Sequence, residues 1–158
     1  MKLPTLLSVS GTIVTVTQHS SECCSHVISL RTMNGIVNLT VSKDTYVVDS
    51  ARLRVGMRIT GFYNANAPVP LIFPPQYQAL IIVPTIGQEQ VVIGYFNENL
   101  VCSDPSLKLN LDTDTSVVTP NGQRYHCNPG GNTLLVYYRT TTKSLPPQTS
   151  PRKIIVFC

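Results

Sequence analysis

"GMRITGFY", residues 56–63, alternates like a β-strand and recurs later in the chain as "GNTLLVYY", residues 131–138. In an extended chain Ile59 and Tyr63 point to one face, and Phe62 points to the other. Each version begins with a glycine and ends on aromatic residues. A strand pattern that returns in this form indicates an internal repeat.

Further segments recur in the same order. "DTYVVD" (44–49) returns as "DTSVVT" (114–119). "QALIIV" (78–83) aligns with "KIIVFC" (153–158) at the same offset that relates residues 56–63 to residues 131–138. An "NL" pair, at 38–39 and 110–111, precedes the "DT" segment of each copy. A glycine within a predicted strand lies near the start of each copy, in "SVSGTIV" (8–14) and "VVIGYF" (91–96). The repeat predicts two small domains, residues 1–86 and 88–158, with a boundary near 83–90.

Each copy is predicted to contain five short strands, which in the first copy lie at about 8–17, 26–33, 36–42, 57–63 and 78–84. Asn34-Gly35 is the sequence of a type I′ hairpin turn. Residues 49–55 have room for one helical turn, with Asp49 or Ser50 as its cap. Three strands, a crossover and two more strands form the plan of an OB-fold barrel. We therefore predict an all-β protein of two tandem OB-fold-like five-stranded β-barrels.

Residues 9–83 resemble a family of small bacterial OB-fold-like domains of uncharacterised function, and residues 92–158 resemble it weakly. The resemblance rests on four motifs, which fall on Gly11 to Ile13, Thr45 to Val47, Leu53 to Gly56 and Ala79 to Ile82. The third motif has only a Gly-Gly counterpart, at 130–131. The family has no established catalytic residues, so the resemblance implies a fold and no chemistry.

Composition limits the classes of function. The 158 residues are 42% hydrophobic and only 13% charged, with a formal net charge of +4. That charged fraction is about half the usual share of globular domains, and no run of Lys or Arg calls for an anionic polymer. We expect no membrane span, because no apolar segment is long enough. The start, "MKLPTLLSVSG", is too short and too broken by proline for a signal peptide, so a cytoplasmic protein with free thiols is predicted.

A proline-rich segment, "APVPLIFPPQY" at 67–77, is the strongest candidate for a binding site. Four prolines exclude a central strand or helix, yet the segment is rich in apolar side chains. It forms the predicted loop 64–77 between the fourth and fifth strands. The loop either docks a protein partner, stiffened by its prolines, or packs on this chain itself. The predicted partner-binding residues are Val69, Leu71, Ile72, Phe73 and Tyr77.

These observations predict a non-catalytic binding or assembly module that contacts another protein or a second copy of itself. No nucleophile–base arrangement, metalloprotease motif or phosphate-binding glycine loop is present. We therefore predict no enzyme activity and no cofactor.

Two alternatives remain open. The first is binding of single-stranded nucleic acid, which needs aromatic residues among basic ones. Its candidate residues are Arg31, Arg58, Phe62, Tyr137, Arg139 and Lys143, with Phe62 and Tyr137 expected to point outward on the fourth strand of each copy. The second is a small metal site in the first hairpin loop, "HSSECCSH" (19–26). Its candidate ligands are His19, Cys23, Cys24 and His26, the residue types that bind zinc.

Overall fold

The computed structural model describes residues 3–18 and 21–158, which form an all-β protein. Among these residues there is no α-helix, and the one helical segment is a 3-10 turn at Val48–Ser50. No helix in the described part of the chain is both long and apolar enough to cross a membrane. The chain divides into two compact units, Leu3–Ile86 and Gly87–Cys158.

The first unit contains seven strands in one sheet. They are β1 (Leu6–Gln18), β2 (His26–Thr32), β3 (Gly35–Val41), β4 (Tyr46–Val47), β5 (Arg58–Asn64), β6 (Gln76–Gln78) and β7 (Ile81–Pro84). Their order in the sheet is β4-β7-β5-β1-β2-β3-β6. The long strand β1 pairs with β5 through its first half and with β2 through its second half.

The predicted fifth strand is present as two pieces, β6 and β7, which pair with different neighbours. Strand β6 runs parallel to β3, and β7 runs antiparallel to β5. Only Ala79 and Leu80 separate them. The Ala79 N–H donates to the Thr40 carbonyl at 3.0 Å, and the Leu80 N–H donates to the Phe62 carbonyl at 2.8 Å. One continuous segment therefore contacts both β3 and β5.

The second unit repeats part of this pattern with six strands. They are β8 (Gln90–Phe96), β9 (Lys108–Leu109), β10 (Ser116–Val118), β11 (Asn132–Tyr138), β12 (Gln148–Thr149) and β13 (Lys153–Phe157). One sheet has the order β10-β13-β11-β8, and β12 pairs with β9 in a second sheet. Four pairings of the first unit return here with the same directions: β8 with β11, β11 with β13, β10 with β13 and β9 with β12.

Equivalent hydrogen bonds fix the alignment of the two units. The Thr45 hydroxyl donates to the Ala79 carbonyl, and the Thr115 hydroxyl donates to the Pro151 carbonyl, both at 2.8 Å. Tyr46 pairs with Ile81 in the first unit as Ser116 pairs with Lys153 in the second. The sequence alignment of "QALIIV" with "KIIVFC" was therefore wrong by three residues, because Ile81 and not Gln78 is equivalent to Lys153.

Each unit has its own apolar core, formed mostly by residues of its strands. The first core consists of Ile13, Ile28, Leu30, Leu39, Ile59, Ala79 and Ile82. The second consists of Phe96, Cys102, Leu107, Leu109, Leu134, Val136, Ile154 and Val156. Gly61 allows a close approach in the first core, since a Cβ atom there would lie 2.5 Å from Leu39 Cδ1.

Two local predictions need correction. Strands β2 and β3 form the predicted hairpin, but Thr32 pairs with Gly35, so the turn residues are Met33 and Asn34. Only Gly35 has a positive φ (113°) at this turn, whereas a type I′ turn needs two such residues. The crossover does contain a helical turn, but it is a 3-10 turn at Val48–Ser50, and Asp49 (φ 61°) and Ser50 lie inside it instead of capping it.

Candidate functional site

The loop between β5 and β6 carries a fully exposed apolar tip. Leu71 and Phe73 have relative exposures of 104% and 92%, and Val69 and Ile72 are also exposed. Tyr77 differs from these four predicted residues, because it is half-buried at the start of the following strand. The tip therefore presents side chains that pack on no core.

Hydrogen bonds hold both ends of this loop. At its start, the Asn66 N–H donates to Asn64 Oδ1 at 2.9 Å, and the Ala65 N–H donates to the Thr5 carbonyl at 2.9 Å. At its end, the Asn38 N–H donates to the Pro75 carbonyl at 2.8 Å. An apolar tip on a fixed base loses little conformational entropy when a partner covers it.

Beside the loop lies a cleft of about 480 Å³ in the first unit. Tyr63 and Tyr77 stack in it with ring centroids 4.1 Å apart and ring planes 9° from parallel. Burial is the main cause that raises the pKa of Tyr63, and the neighbouring Tyr77 raises it further. The cleft is lined by Ser8, Val9, Ser10, Thr32, Met33, Asn34, Gly35, Ile36, Val37, Tyr63, Phe73, Pro75 and Tyr77. None of these described lining residues carries a charge.

Of the residues that line this cleft, only Phe73 and Tyr77 were among the predicted partner-binding residues. Met33 is fully exposed at the β2–β3 turn, and Ser8 and Ser10 are exposed on β1. These residues lie far from the loop in sequence, so only the pairing of strands brings them together. The available signal was the glycine at position 35, which marks the hairpin turn that presents Met33.

The equivalent loop of the second unit is polar. Thr142 and Ser144 share a hydrogen bond of 2.6 Å between their hydroxyls, and Ser144 donates to the Pro146 carbonyl at 2.9 Å. Leu145 is its exposed apolar residue, at 96%. Both loops contain a Pro-Pro-Gln sequence, at 74–76 and 146–148. This recurrence gave the correct alignment of the two units, and the sequence analysis did not use it.

The residues proposed for nucleic-acid binding do not form a stacking surface. Arg31, Arg58, Arg139 and Lys143 are exposed. Phe62 and Tyr137, which were expected to point outward, are instead buried, at 4% and 2% exposure. The strand pattern explains the error, because residues 59–62 of β5 are all buried, so burial there does not follow the alternation.

The candidate metal ligands lie in the loop between β1 and β2. Cys23, Cys24 and His26 are exposed, and His19 lies outside the described residues. Between them Ser25 is buried, and its hydroxyl donates to Glu22 Oε2 at 3.0 Å. Across the described ranges no three His, Cys, Asp or Glu side chains are grouped to hold a metal ion. A site that includes His19 stays a prediction.

A second cleft, in the unit Gly87–Cys158, contains an ion pair between a buried carboxylate and a half-exposed arginine, which the sequence did not predict. Arg152 Nε lies 2.7 Å from Glu89 Oε2. Asp112, Asp114 and Arg139 line the same cleft, which has a volume of about 380 Å³. The cleft contains both acidic and basic side chains, and the pairing of Arg152 with Glu89 indicates a structural role for this ion pair.

Comparison of the chain with models of known protein families and with curated proteins finds no match.

Proposed function

We propose that the chain is a non-catalytic protein-binding module made of two OB-fold-like units, and that it docks through the apolar tip of the loop 64–77. The observation that carries the proposal is the exposure of Leu71 and Phe73 on a loop whose ends are both hydrogen-bonded. Contiguous exposed apolar side chains mark interaction surfaces in soluble proteins. The proposed role involves no chemical step and needs no cofactor.

The OB-like part of the proposal is supported by strand pairing. An OB fold is a five-stranded, partly open Greek-key barrel. In the first unit, β1 lies between β2 and β5, and residues 76–84 pair with both β3 and β5. Strands β3 and β5 therefore both pair with one segment, which is the arrangement that a closed barrel requires. The second unit keeps the equivalent pairings.

A protein partner fits this surface better than nucleic acid does. Binding of single strands combines exposed aromatic rings with a positively charged groove. Phe62 and Tyr137 are buried, and the cleft beside the loop is lined by uncharged described residues. The exposed tip offers apolar contact area, which stabilises protein association. A second copy of the chain would satisfy the same chemistry.

The test compares the wild type with the triple variant Leu71→Ser, Ile72→Ser and Phe73→Ser. Tagged protein is crosslinked in cells of the source organism and its partners are quantified by mass spectrometry, while sedimentation velocity measures self-association. We expect the variant to keep its melting temperature and to lose the captured protein or the self-association. Leu145→Ser is the matched control, because Leu145 is equally exposed in the equivalent loop. A triple variant that keeps all partners and its oligomeric state contradicts the proposal.

A further inference from the structure

We propose that the cleft of the first unit binds an uncharged, extended peptide segment that adds a strand to the free edge of β1 at Leu6–Ser10. This inference rests on the proposed protein-binding function and names the form in which the partner is recognised. In strand addition, main-chain hydrogen bonds provide affinity, and pockets for alternate side chains provide specificity.

Among the residues that the structure describes, the first half of β1 pairs with β5 on one edge and with no strand on the other before Thr12. The Ala65 N–H donates to the Thr5 carbonyl and the Ile13 N–H donates to the Met57 carbonyl, so odd-numbered residues direct their main-chain groups toward β5. Ser8 and Ser10 therefore direct theirs away from β5. Pairing with β2 begins only at Thr12. In the described register of β1 with β2, neither Ser8 nor Ser10 has a partner residue.

This edge opens directly into the apolar cleft. Ser8 and Ser10 line one wall, and the stacked Tyr63 and Tyr77 lie in the same cleft. Met33 and Phe73 stand fully exposed at its rim, one from the β2–β3 turn and one from the loop. A strand added along β1 would place every second side chain toward these apolar groups.

The nature of the lining selects the class of occupant. A cleft without a charged side chain gives no compensation to a buried phosphate or carboxylate, and burial of an unpaired charge is costly. Exposed main-chain N–H and C=O groups at a strand edge are a template for another extended chain. Both features together favour an uncharged peptide over nucleic acid. The rim residue Phe73 also belongs to the loop tip, so the cleft continues the proposed docking surface.

The experiment uses the full chain and a phage-displayed library of random decapeptides. Selected peptides are synthesised, and their dissociation constants are measured for the wild type, Ser8→Pro and Ser8→Ala. Proline removes the outward N–H, while the β5 pairing uses the neighbouring odd-numbered residues. We expect the selected peptides to lack charge at their centre. Their dissociation constants should be about tenfold higher for Ser8→Pro than for the wild type and little changed for Ser8→Ala.

A second measurement does not depend on the proline variant folding. Amide hydrogen exchange of the wild type, followed by NMR, should show that the Ser8 and Ser10 amides become protected when a selected peptide is bound. Failure of the library to give a binder overturns the inference. So does a peptide that leaves these amides unprotected, or binding of neutral oligosaccharides from an array in place of peptides.

The double variant Leu71→Ser/Ile72→Ser separates this inference from the proposed function, because neither residue lines the cleft. Loss of cellular partners in that variant, with peptide binding unaffected by Ser8→Pro, leaves loop docking intact and rejects strand addition. Peptide binding that is lost in Ser8→Pro, with all partners kept in the loop variant, leaves strand addition intact and rejects docking through the tip.

Discussion

Arg152 donates two hydrogen bonds to Glu89, from Nε to Oε2 at 2.7 Å and from Nη2 to Oε1 at 3.0 Å. The two partners differ in burial, since the Glu89 side chain is 2% exposed and the Arg152 side chain is 54% exposed. Arg152 also lies over the Tyr137 ring, with its Cζ 4.6 Å from the centroid. Removal of Arg152 and removal of Glu89 should therefore lower the free energy of unfolding by different amounts.

Arg152→Ala should destabilise the second unit more than Glu89→Gln does. The first change leaves a buried carboxylate without its cation, at a cost of about 3 kcal/mol. The second keeps a polar group in place and leaves an arginine that can reach water, at about 1 kcal/mol. Urea unfolding followed by hydrogen exchange of peptides from residues 87–158 measures both. Lys43→Ala, which breaks the exposed pair with Asp44, is the control and should have no measurable effect. Equal losses for both variants would contradict the argument.

Gly61→Ala should destabilise the first unit. The added methyl group would lie 2.5 Å from Leu39 Cδ1 in a fully buried site, and overpacking of this kind costs about 1–3 kcal/mol. The measurement is the urea midpoint by far-UV circular dichroism. Arg58→Ala, an exposed change in the same strand, is the control. In a double-mutant cycle, Gly61→Ala should cost less in the Leu39→Ala background than in the wild type, because the clashing atom is gone, and additive costs would count against the clash.

Stability should fall at high pH because of three half-buried tyrosines. Burial raises the pKa of Tyr63, Tyr46 and Tyr138 above the ordinary tyrosine value, which is about 10. The folded state then keeps these phenolic protons longer than the unfolded chain does. The contribution to stability is present below the unfolded pKa and is lost as the pH rises through the folded pKa.

The free energy of unfolding should accordingly decrease above about pH 10, after a smaller decrease from about pH 8.5 that comes from Cys102, whose pKa burial also raises. Urea titrations across this range test the prediction. Tyr63→Phe removes one titrating group, so its decrease should be shallower than that of the wild type. Tyr95→Phe, at an exposed position, is the matched control and should follow the wild-type curve. An identical slope in Tyr63→Phe would contradict the assignment.

Thiol reactivity should distinguish one cysteine from the other four. Cys102 is buried, whereas Cys23, Cys24, Cys127 and Cys158 are exposed, and all five are free thiols. Burial is the main cause that raises the pKa of Cys102, so little reactive thiolate forms there. Iodoacetamide at pH 7.5 should label four sites in the native protein, and the fifth only after unfolding, as read by intact mass and peptide mapping. Rapid labelling of Cys102 in the native state would contradict its position in the second core.

Local patterns predicted the strands better than their detailed alignment. Alternation in residues 56–63 and the glycine at position 35 identified a strand and a hairpin, because both depend on neighbouring residues. The turn type was wrong, since the register of β2 with β3 places Met33 and Asn34 at the turn. The last strand was misaligned because short Ile/Val runs match at several offsets.

The candidate site divides in the same way. Proline content and apolar residues at 67–77 identified the loop, because proline excludes regular structure wherever it occurs. The cleft could not be predicted, since Ser8, Met33 and Tyr63 belong to three separate strands or turns. The burial of Phe62 and Tyr137 was missed for a related reason. Alternation tells which side chains share a face, but contacts distant in sequence decide whether that face is covered.

The sequence by itself determined the all-β class, the recurrence of strand patterns and the position of an apolar, proline-stiffened loop, because each follows from the stereochemistry of adjacent residues. Only the tertiary structure decided which strand edge stays unpaired, which aromatic rings stack and which carboxylate meets Arg152. Those features depend on the register between strands, and a shift of one residue in register reverses the face of every side chain in a strand.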